Sequence, residues 1–244
     1  MSEAGDPANP DGRREPPRSY LPPNPGAVPL TPRQEELRRV GEALRDLISN
    51  FVATEAPADE LAALAADLEA IAAGWAGHPR RTSYGLAAEA GPGGDVHAFL
   101  DDSPMIGRAN PLAPPLRLRV EEDTDPPAIV GTARFGPQYE GPPGHVHGGY
   151  VAAAFDEVLG MAQSFGGKPG MTGTLTVRYR SPTPLHREVA LRGWVERIEG
   201  RKIFTRGTAH AGERLCAEAE AVFISIDVRT IQVLAEERRR RGAP

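Results

Sequence analysis

Apolar residues recur at helical spacing in two stretches near the N-terminus. The first stretch follows a Thr-Pro helix start at Thr31 and continues through Phe51. The second begins after Pro57, places leucine and isoleucine on one face with alanines between them, and ends before Gly74. The spacing predicts two amphipathic helices over 33–75, arranged as a helical hairpin that packs on the main domain or on a partner subunit.

The second half of the chain changes to the two-residue alternation of half-buried β-strands. Turns rich in glycine, proline or aspartate bound the runs that show it. The six runs are 116–121, 128–135, 175–180, 188–198, 202–209 and 214–226. One apolar, alanine-rich helix lies between the second and third runs, over about 149–165. This order predicts an α+β domain in which an antiparallel sheet wraps its apolar face around the helix.

The remaining segments lack a sustained apolar period. Residues 1–32 are rich in proline and glycine and are expected to be disordered or draped on the surface. Residues 76–114 contain further glycine and proline clusters, and such a long irregular connection usually carries function or is disordered. The main domain is therefore expected over 115–228. The end, 229–244, is rich in glutamate and arginine and is predicted to form a basic, solvated tail helix.

Composition narrows the class of function. The 244 residues carry a formal net charge of -5, which argues against a general nucleic-acid binder. No run approaches the roughly eighteen apolar residues of a membrane span, and the N-terminus lacks the apolar core of a secretory signal, so a cytoplasmic location is expected. The single cysteine, Cys216, excludes an internal disulfide framework and a cysteine-based metal cluster, and is predicted to be a packing residue.

One carboxylate occupies a position where helix packing favours an apolar side chain. Asp156 follows Gly149 by seven residues in the alanine-rich helix, with Ala152 and Gly160 on the same stripe. Because burial disfavours the charged form, an acid on such a stripe is expected to be paired or to take part in chemistry. We interpret Glu157, rotated by about 100°, as the solvated acid of the pair and Asp156 as the inward one.

The same helix opens with two glycines after His147. Backbone N–H groups at a helix start lie at the positive end of the helix dipole, and glycine lets a ligand approach them closely, which suits a polarised carbonyl. Gly149 and Asp156 are about 10.5 Å apart at the helical rise of 1.5 Å per residue, so one carbonyl cannot contact both. If both act on one substrate, they must belong to different chains. A dimer with composite sites is therefore predicted.

Three short motifs have a specific order and spacing. They are His-Gly-Gly at 147–149, Asp156 nine residues after the histidine, and Thr172 sixteen residues after the aspartate. Together they resemble the PaaI branch of the hotdog-fold acyl-CoA thioesterases, and EGPPG at 140–144 is similar to the mammalian thioesterase superfamily members of that branch. The resemblance covers about 116–227. It implies a long central helix wrapped by an antiparallel sheet of five to six strands, and subunits that dimerise by sheet extension with two active sites at their interface.

The resemblance also implies a role for each matching residue. Asp156 corresponds to the catalytic acid, which is either the nucleophile or the general base, and the N–H of Gly149 or Gly148 corresponds to the donor that polarises the thioester carbonyl. His147 corresponds to the histidine that orients the thioester or its water. Thr172 corresponds to the hydroxyl that positions the water or the acid. The implied substrate is an acyl-CoA, with no metal and no cofactor.

Three positions near these residues are further candidates for substrate binding. Some bacterial relatives place an asparagine six residues before the histidine of the His-Gly-Gly motif, and that position is Gly141 here. His145 is the candidate to supply the missing polar group. His145 and His147 could instead bind a metal, but no third ligand has suitable spacing. Thr174 is a less favoured substitute for Thr172.

Two arginines complete the candidate set. Arg178 and Arg180 share a strand face with Thr176, and guanidinium groups suit the phosphates of coenzyme A. A solvated strand face explains the same pattern equally well. The four remaining histidines are scattered along the sequence and are expected to be structural or exposed.

The sequence therefore predicts an acyl-CoA thioesterase of fatty acid metabolism, which hydrolyses the thioester to a carboxylic acid and coenzyme A. The active unit is expected to be a homodimer or a dimer of dimers, in which Asp156 of one chain works with the Gly149 N–H of the other. The alternative is a non-catalytic acyl-CoA-binding or regulatory protein with the same fold. Asp156 and Thr172 favour the enzyme, because a binder needs neither. A hotdog dehydratase is disfavoured, because no histidine follows Asp156 on the helix.

Overall fold

A computed structural model describes residues 29–79 and 100–226. Its helices are α1 (Pro32–Val52), α2 (Ala58–Ala76) and α3 (Gly148–Ala162). Its strands are β1 (Arg117–Glu121), β2 (Ala128–Arg134), β3 (Gly170–Tyr179), β4 (Glu188–Glu199), β5 (Lys202–Ala211) and β6 (Arg214–Ser225). The strands form one antiparallel sheet in the order β1-β2-β4-β5-β6-β3. The predicted α+β architecture is confirmed, with the sheet at six strands and the helices of the extension before it.

The core lies between α3 and one face of the sheet. The buried residues of α3 recur at helical spacing and are Val151, Ala154, Phe155, Val158, Leu159 and Ala162. In β5 and β6 nearly every second residue is buried, as expected for a sheet with one covered face. Glycines allow close packing here: a Cβ at Gly131 would lie 2.8 Å from Val158 Cγ2, and a Cβ at Gly193 would lie 2.9 Å from Leu159 Cδ2.

Two predicted boundaries are wrong. Helix α2 continues past Gly74 to Ala76, because a glycine inside an exposed helix costs only about 1 kcal/mol and does not end it. Strand β3 begins at Gly170, five residues before the alternation at Leu175 shows it. Its early part pairs with β6 through a β-bulge, which breaks the two-residue period. The predicted N-terminal tail, 1–32, is described only from residue 29, and its last residue, Pro32, already belongs to α1. Residues 1–28 and the predicted tail helix, 229–244, lie outside the described residues.

Helix α1 packs on the segment that precedes β1. Arg38 Nε donates to both carboxylate oxygens of Asp101, at 2.8 and 3.0 Å, and Arg45 Nη1 donates to the Asn110 carbonyl at 2.9 Å. A Cβ at Gly41 would lie 2.6 Å from a backbone carbonyl oxygen of this segment. Residues 100–114 of the predicted irregular connection therefore join α1 to the core, whereas its residues 80–99 lie outside the described ranges. Helix α2, in contrast, buries none of its residues.

We expect Asp101→Ala to lower the free energy of unfolding by about 3 kcal/mol, because it removes two charge-assisted hydrogen bonds from the Arg38 side chain, which is only 17% exposed. Urea unfolding would measure the change. The matched control is Glu36→Ala, which breaks the exposed ion pair to Arg39 on the same helix and should change stability by less than about 1 kcal/mol. Equal losses in the two variants would show that the Arg38–Asp101 pair does not anchor α1.

Candidate active site

The loop before α3 is held by hydrogen bonds within itself. The Glu140 carboxylate accepts from the Gly144 N–H at 2.6 Å, and the Gly141 N–H donates to the His145 carbonyl at 2.9 Å. Gly144 has a φ of 73°, in the left-handed region that favours glycine. The loop held in this way places His147 at the start of α3, where it is the N-cap residue.

The ring of His147 binds one of the two glycine amides. Its Nδ1 accepts from the Gly149 N–H at 3.0 Å. In the neutral ring the proton then resides on Nε2, so His147 offers a ligand a hydrogen-bond donor rather than a lone pair. Within residues 29–79 and 100–226, the Gly148 N–H has no hydrogen-bond partner, as expected for the first turn of a helix.

Tyr179, which the sequence analysis did not single out, binds the same glycine pair from the other side. Its hydroxyl donates to the Gly148 carbonyl at 2.8 Å, and a Cβ at Gly148 would lie 3.2 Å from that hydroxyl. The peptide unit between Gly148 and Gly149 is therefore held at both ends, its oxygen by Tyr179 and its N–H by His147. The sequence did contain a signal for this residue, because the two-residue alternation of β3 places Tyr179 on the helix side of the sheet.

Asp156 and Thr172 contact each other, which agrees with the positioning role that the resemblance implies for the threonine. Thr172 Oγ1 donates to Asp156 Oδ1 at 2.9 Å. This contact depends on the β-bulge, because the pairing of β3 with β6 shifts between Thr172 and Thr174 and leaves Gly173 as the extra residue. The bulge turns Thr172 to the helix side of the sheet. Thr174 pairs with Val222 on the opposite side, away from Asp156.

The prediction that Asp156 is the inward acid is wrong for the single chain. Asp156 is exposed and Glu157 is half-buried. The buried face of α3 centres on Phe155 and Val158, so Asp156 lies at its border, beside the edge strand β3. The carboxylate and its threonine are therefore open to a ligand or to a second subunit.

The glycine end of α3 and Asp156 are both ordered parts of one helix, as the sequence predicts. Gly148 is the first residue of α3 and Asp156 is in its middle, so about 12 Å of helix separates them at the usual rise. A single chain thus holds two separate half-sites. One consists of the glycine end with His147 and Tyr179, and the other is the Asp156–Thr172 pair.

Both half-sites lie largely within a segment shared with known proteins. A family model described as Thioesterase superfamily matches residues 143–218. The crystal structure of a thioesterase superfamily protein is 32% identical to this chain, with a TM-score of 0.66, and the similarity covers 77% of this chain and 94% of that one. The chain belongs to the thioesterase superfamily. Its central helix and six-stranded antiparallel sheet are the hotdog fold that the resemblance implies.

Curated relatives of this thioesterase superfamily chain carry the name acyl-coenzyme A thioesterase THEM4. The protein from Xenopus laevis is 42% identical over 93 residues, which cover 37% of this chain and 42% of that protein. The protein from Rattus norvegicus is 36% identical over 101 residues, which cover 41% and 44%. The similarity thus spans less than half the length of these curated relatives.

The structure explains the glycine that this superfamily member has at position 141. A Cβ there would lie 2.7 Å from His147 Cα and 3.0 Å from His147 Cβ. The asparagine of some bacterial relatives therefore does not fit this loop as it stands. His145, the predicted replacement, donates to the Pro143 carbonyl through Nδ1 at 2.8 Å, and in the neutral ring this leaves Nε2 as an acceptor. Its role in substrate binding stays a prediction.

Arg178 and Arg180 lie on the face of the sheet that points away from α3. Arg178 Nη1 is 3.0 Å from a Glu220 carboxylate oxygen, and Arg180 Nε is 2.5 Å from Glu218. Both arginines are about half exposed. The Arg178 guanidinium, which donates a hydrogen bond to Glu220, holds the pKa of that carboxyl below its usual range. Contact of either arginine with coenzyme A phosphates stays a prediction.

Aromatic side chains support the glycine end of the helix. Tyr139 is buried, its hydroxyl donates to the Leu112 carbonyl at 3.2 Å, and burial is the main cause that raises its pKa to about 12. Its ring lies edge-on to Phe135 and to Tyr150, with centroids 5.7 and 4.8 Å away. Tyr150 directly follows the glycine pair and is 37% exposed. These rings connect the site to the segment on which α1 packs.

The described residues contain neither a candidate membrane span nor a candidate metal site. Among the helices in 29–79 and 100–226, none is long and apolar enough to cross a membrane. In the same ranges, no group of three or more histidine, cysteine, aspartate or glutamate side chains is placed to hold a metal ion. The cytoplasmic location stays a prediction from the sequence.

Proposed function

We propose that this chain is an acyl-CoA thioesterase, which hydrolyses the thioester to a carboxylic acid and free coenzyme A. The observation that carries the proposal is the 2.9 Å hydrogen bond from Thr172 to an exposed Asp156. It joins the two residues whose spacing resembles the catalytic pair of the hotdog thioesterases. The curated relatives add support, because the proteins similar over this segment are named acyl-coenzyme A thioesterases.

Asp156 is the proposed reactive group. As a nucleophile its carboxylate attacks the thioester carbonyl carbon, the C–S bond breaks to release the coenzyme A thiolate, and water then hydrolyses the resulting mixed anhydride. As a general base it removes a proton from the attacking water, and the tetrahedral intermediate then expels the thiolate, which takes up that proton. Thr172 donates to one carboxylate oxygen and leaves the second oxygen, Oδ2, for the reaction. In both routes the tetrahedral intermediate carries negative charge on the former carbonyl oxygen, which needs a hydrogen-bond donor.

We assign that donor to the glycine end of α3. The sequence favours the Gly149 N–H, but in the single chain this group donates to His147 Nδ1. The Gly148 N–H is the more accessible donor by this geometry. Tyr179 and His147 hold the next peptide unit at both ends, so the direction of the Gly148 N–H is fixed before a substrate binds. Such preorganised donors are usually the largest electrostatic contribution to acyl transfer.

The proposed active unit is a dimer or a dimer of dimers, with each site built from two chains. One carbonyl cannot contact both the glycine end and Asp156 of a single α3, because they are separated by about 12 Å of helix. The exposed edge strand β3 lies beside Asp156 and offers unpaired backbone groups for sheet extension.

Release of free thiol from a panel of aryl-, short-chain and long-chain acyl-CoAs, followed with a thiol reagent, tests the proposed activity. We expect saturable hydrolysis of at least one acyl class by the purified full chain, and the preferred class would define the substrate. The same panel in a direct binding measurement identifies the alternative. Binding of acyl-CoA without thiol release would reject the enzyme and support the non-catalytic binder.

A further inference from the structure

Tyr139 is a buried residue that contacts the chain on both sides of the glycine pair. It ends a short 3₁₀ turn, Pro137–Tyr139, just before the loop that leads to α3. Its carbonyl oxygen accepts from the His147 N–H at 2.8 Å. Its ring lies edge-on to the ring of Tyr150, with the two centroids 4.8 Å apart. Because His147 precedes the glycine pair and Tyr150 follows it, this one residue brackets both glycine amides.

The hydroxyl of Tyr139 connects the glycine end to a segment that is distant in the sequence. It donates to the Leu112 carbonyl at 3.2 Å, across 27 positions of the chain. The Asn110 side chain helps to fold that segment, because its Oδ1 accepts from the Leu112 N–H at 3.0 Å. Burial raises the pKa of Tyr139 to about 12 by disfavouring the charged phenolate. The hydroxyl therefore keeps its proton, and remains a donor, throughout the neutral pH range.

Helix α1 holds the same segment from its other side. Arg45 Nη1 donates to the Asn110 carbonyl at 2.9 Å. The helix also packs directly on the 3₁₀ turn that ends at Tyr139. A continuous series of contacts thus leads from α1, through Asn110 and Leu112, to Tyr139 and the start of α3.

The glycine amides need support from outside their own helix. Gly148 and Gly149 lie in the first turn of α3, where no earlier helical turn holds the backbone. A donor that has to reorient during the reaction loses much of its electrostatic benefit, so the backbone must be fixed before a substrate binds. Tyr139 fixes it at two points, through the N–H of the residue before the pair and through the ring of the residue after it.

We propose that Tyr139 is a positioning residue for the oxyanion donor, and that its contacts make α1 a necessary part of the active site rather than a separate extension. The proposal rests on the proposed function, because it requires the glycine end to stabilise the tetrahedral intermediate. Tyr139 acts through His147 and Tyr150 and does not contact the substrate. An interaction of this kind is realised in the transition state, so its loss lowers kcat and leaves KM nearly unchanged.

Tyr139→Phe removes the hydroxyl and keeps the ring. We expect kcat of the full chain to fall about 10-fold while KM stays within about two-fold of the wild-type value, measured by thiol release from the best acyl-CoA of the panel. Ile203→Val is the matched control, because it deletes one buried methyl group in β5 and destabilises the fold away from the glycine end. It should keep kcat within about two-fold. Equal losses of kcat in the two variants would overturn the proposal.

Two arginines of α1 test the contribution of the helix. Arg45→Met removes the donor to the Asn110 carbonyl but keeps an aliphatic side chain, and should lower kcat by about 3- to 10-fold. Arg39→Met changes a side chain that is 79% exposed and should leave kcat unchanged. If Arg45 acts through Tyr139, the double variant Arg45→Met with Tyr139→Phe loses little more than Tyr139→Phe alone. Full multiplication of the two effects, or wild-type kcat in Arg45→Met, would contradict the proposal.

Amide hydrogen exchange needs no substrate and therefore separates this proposal from the proposed function. The Gly149 N–H is bound to His147 Nδ1, so its exchange rate reports whether the glycine end keeps its geometry. We expect this amide, observed by NMR in the full chain labelled in glycine, to exchange about 5-fold faster in Tyr139→Phe than in Ile203→Val. Equal exchange rates would reject the positioning role. Faster exchange in a protein whose wild-type form hydrolyses no acyl-CoA would reject the proposed function, and Tyr139 would still position the glycine amides.

Discussion

Asp156→Asn should lower kcat/KM for the best acyl-CoA substrate by about three orders of magnitude, because the amide is neither a nucleophile nor a base at neutral pH. Asparagine has nearly the same shape, and its carbonyl oxygen can still accept the hydrogen bond from Thr172. Asp156 is exposed, so the free energy of unfolding should change by less than about 0.5 kcal/mol. Thiol-release kinetics and urea unfolding measure the two effects.

The adjacent acid provides a matched control. Glu157→Gln makes the same chemical change one residue further along α3, where the side chain is rotated by about 100° from Asp156. We expect it to keep kcat/KM within a few-fold of the wild-type value. If the two variants lose activity equally, the loss comes from the helix charge in general and Asp156 is not the reactive group. If Asp156→Asn retains wild-type activity, the proposed function is rejected.

The sequence was most informative where structure is set by local pattern. The two N-terminal helices and the six strands follow from apolar spacing, and each forms where its period predicts. The proximity of Asp156 and Thr172 could also be anticipated, because the resemblance in motif spacing assigns both residues to the active site. The predicted boundaries that are wrong lie where the local sequence pattern gives a weak signal, at Gly74 and at the glycine-containing start of β3.

What the sequence did not reveal depends on contacts between distant segments. Tyr179 lies 31 residues from Gly148, and only the folded sheet brings its hydroxyl to that carbonyl. The inward turn of Thr172 requires a β-bulge, which a strict two-residue alternation does not anticipate. The exposure of Asp156 has a different cause. An amphipathic stripe indicates that a helix face is covered, but it does not distinguish the chain's own core from a second subunit.

The two half-sites differ in how they are held. The Asp156–Thr172 pair joins the middle of α3 to the start of β3 by one exposed hydrogen bond. The glycine end is supported more extensively, by the ring of His147, the hydroxyl of Tyr179 and the aromatic contacts of Tyr139. A donor for a developing oxyanion must be fixed in advance, since reorientation during the reaction would offset its benefit. The more rigid half-site is thus the one to which we assign that role.

Gly141→Ala should reduce kcat/KM by about 10- to 100-fold and destabilise the fold by about 1 to 3 kcal/mol, because the new Cβ would lie 2.7 Å from His147 Cα. Backbone rather than a flexible side chain opposes the added methyl group, so the loop must shift. His147 would then move relative to the Gly149 N–H that it binds, and the glycine end would lose its fixed geometry. Thiol-release kinetics and urea unfolding provide the measurements.

Two further variants separate this close approach from other effects of changing the loop. Pro142→Ala alters the next residue, whose side chain is exposed, and should keep kcat/KM within a few-fold of the wild-type value. Gly141→Asn introduces the residue of some bacterial relatives, and should lower kcat/KM at least as much as Gly141→Ala, because it adds volume at the same contact. Wild-type activity in Gly141→Asn would show that this loop accommodates the asparagine, and that His147 does not need the close approach that glycine allows.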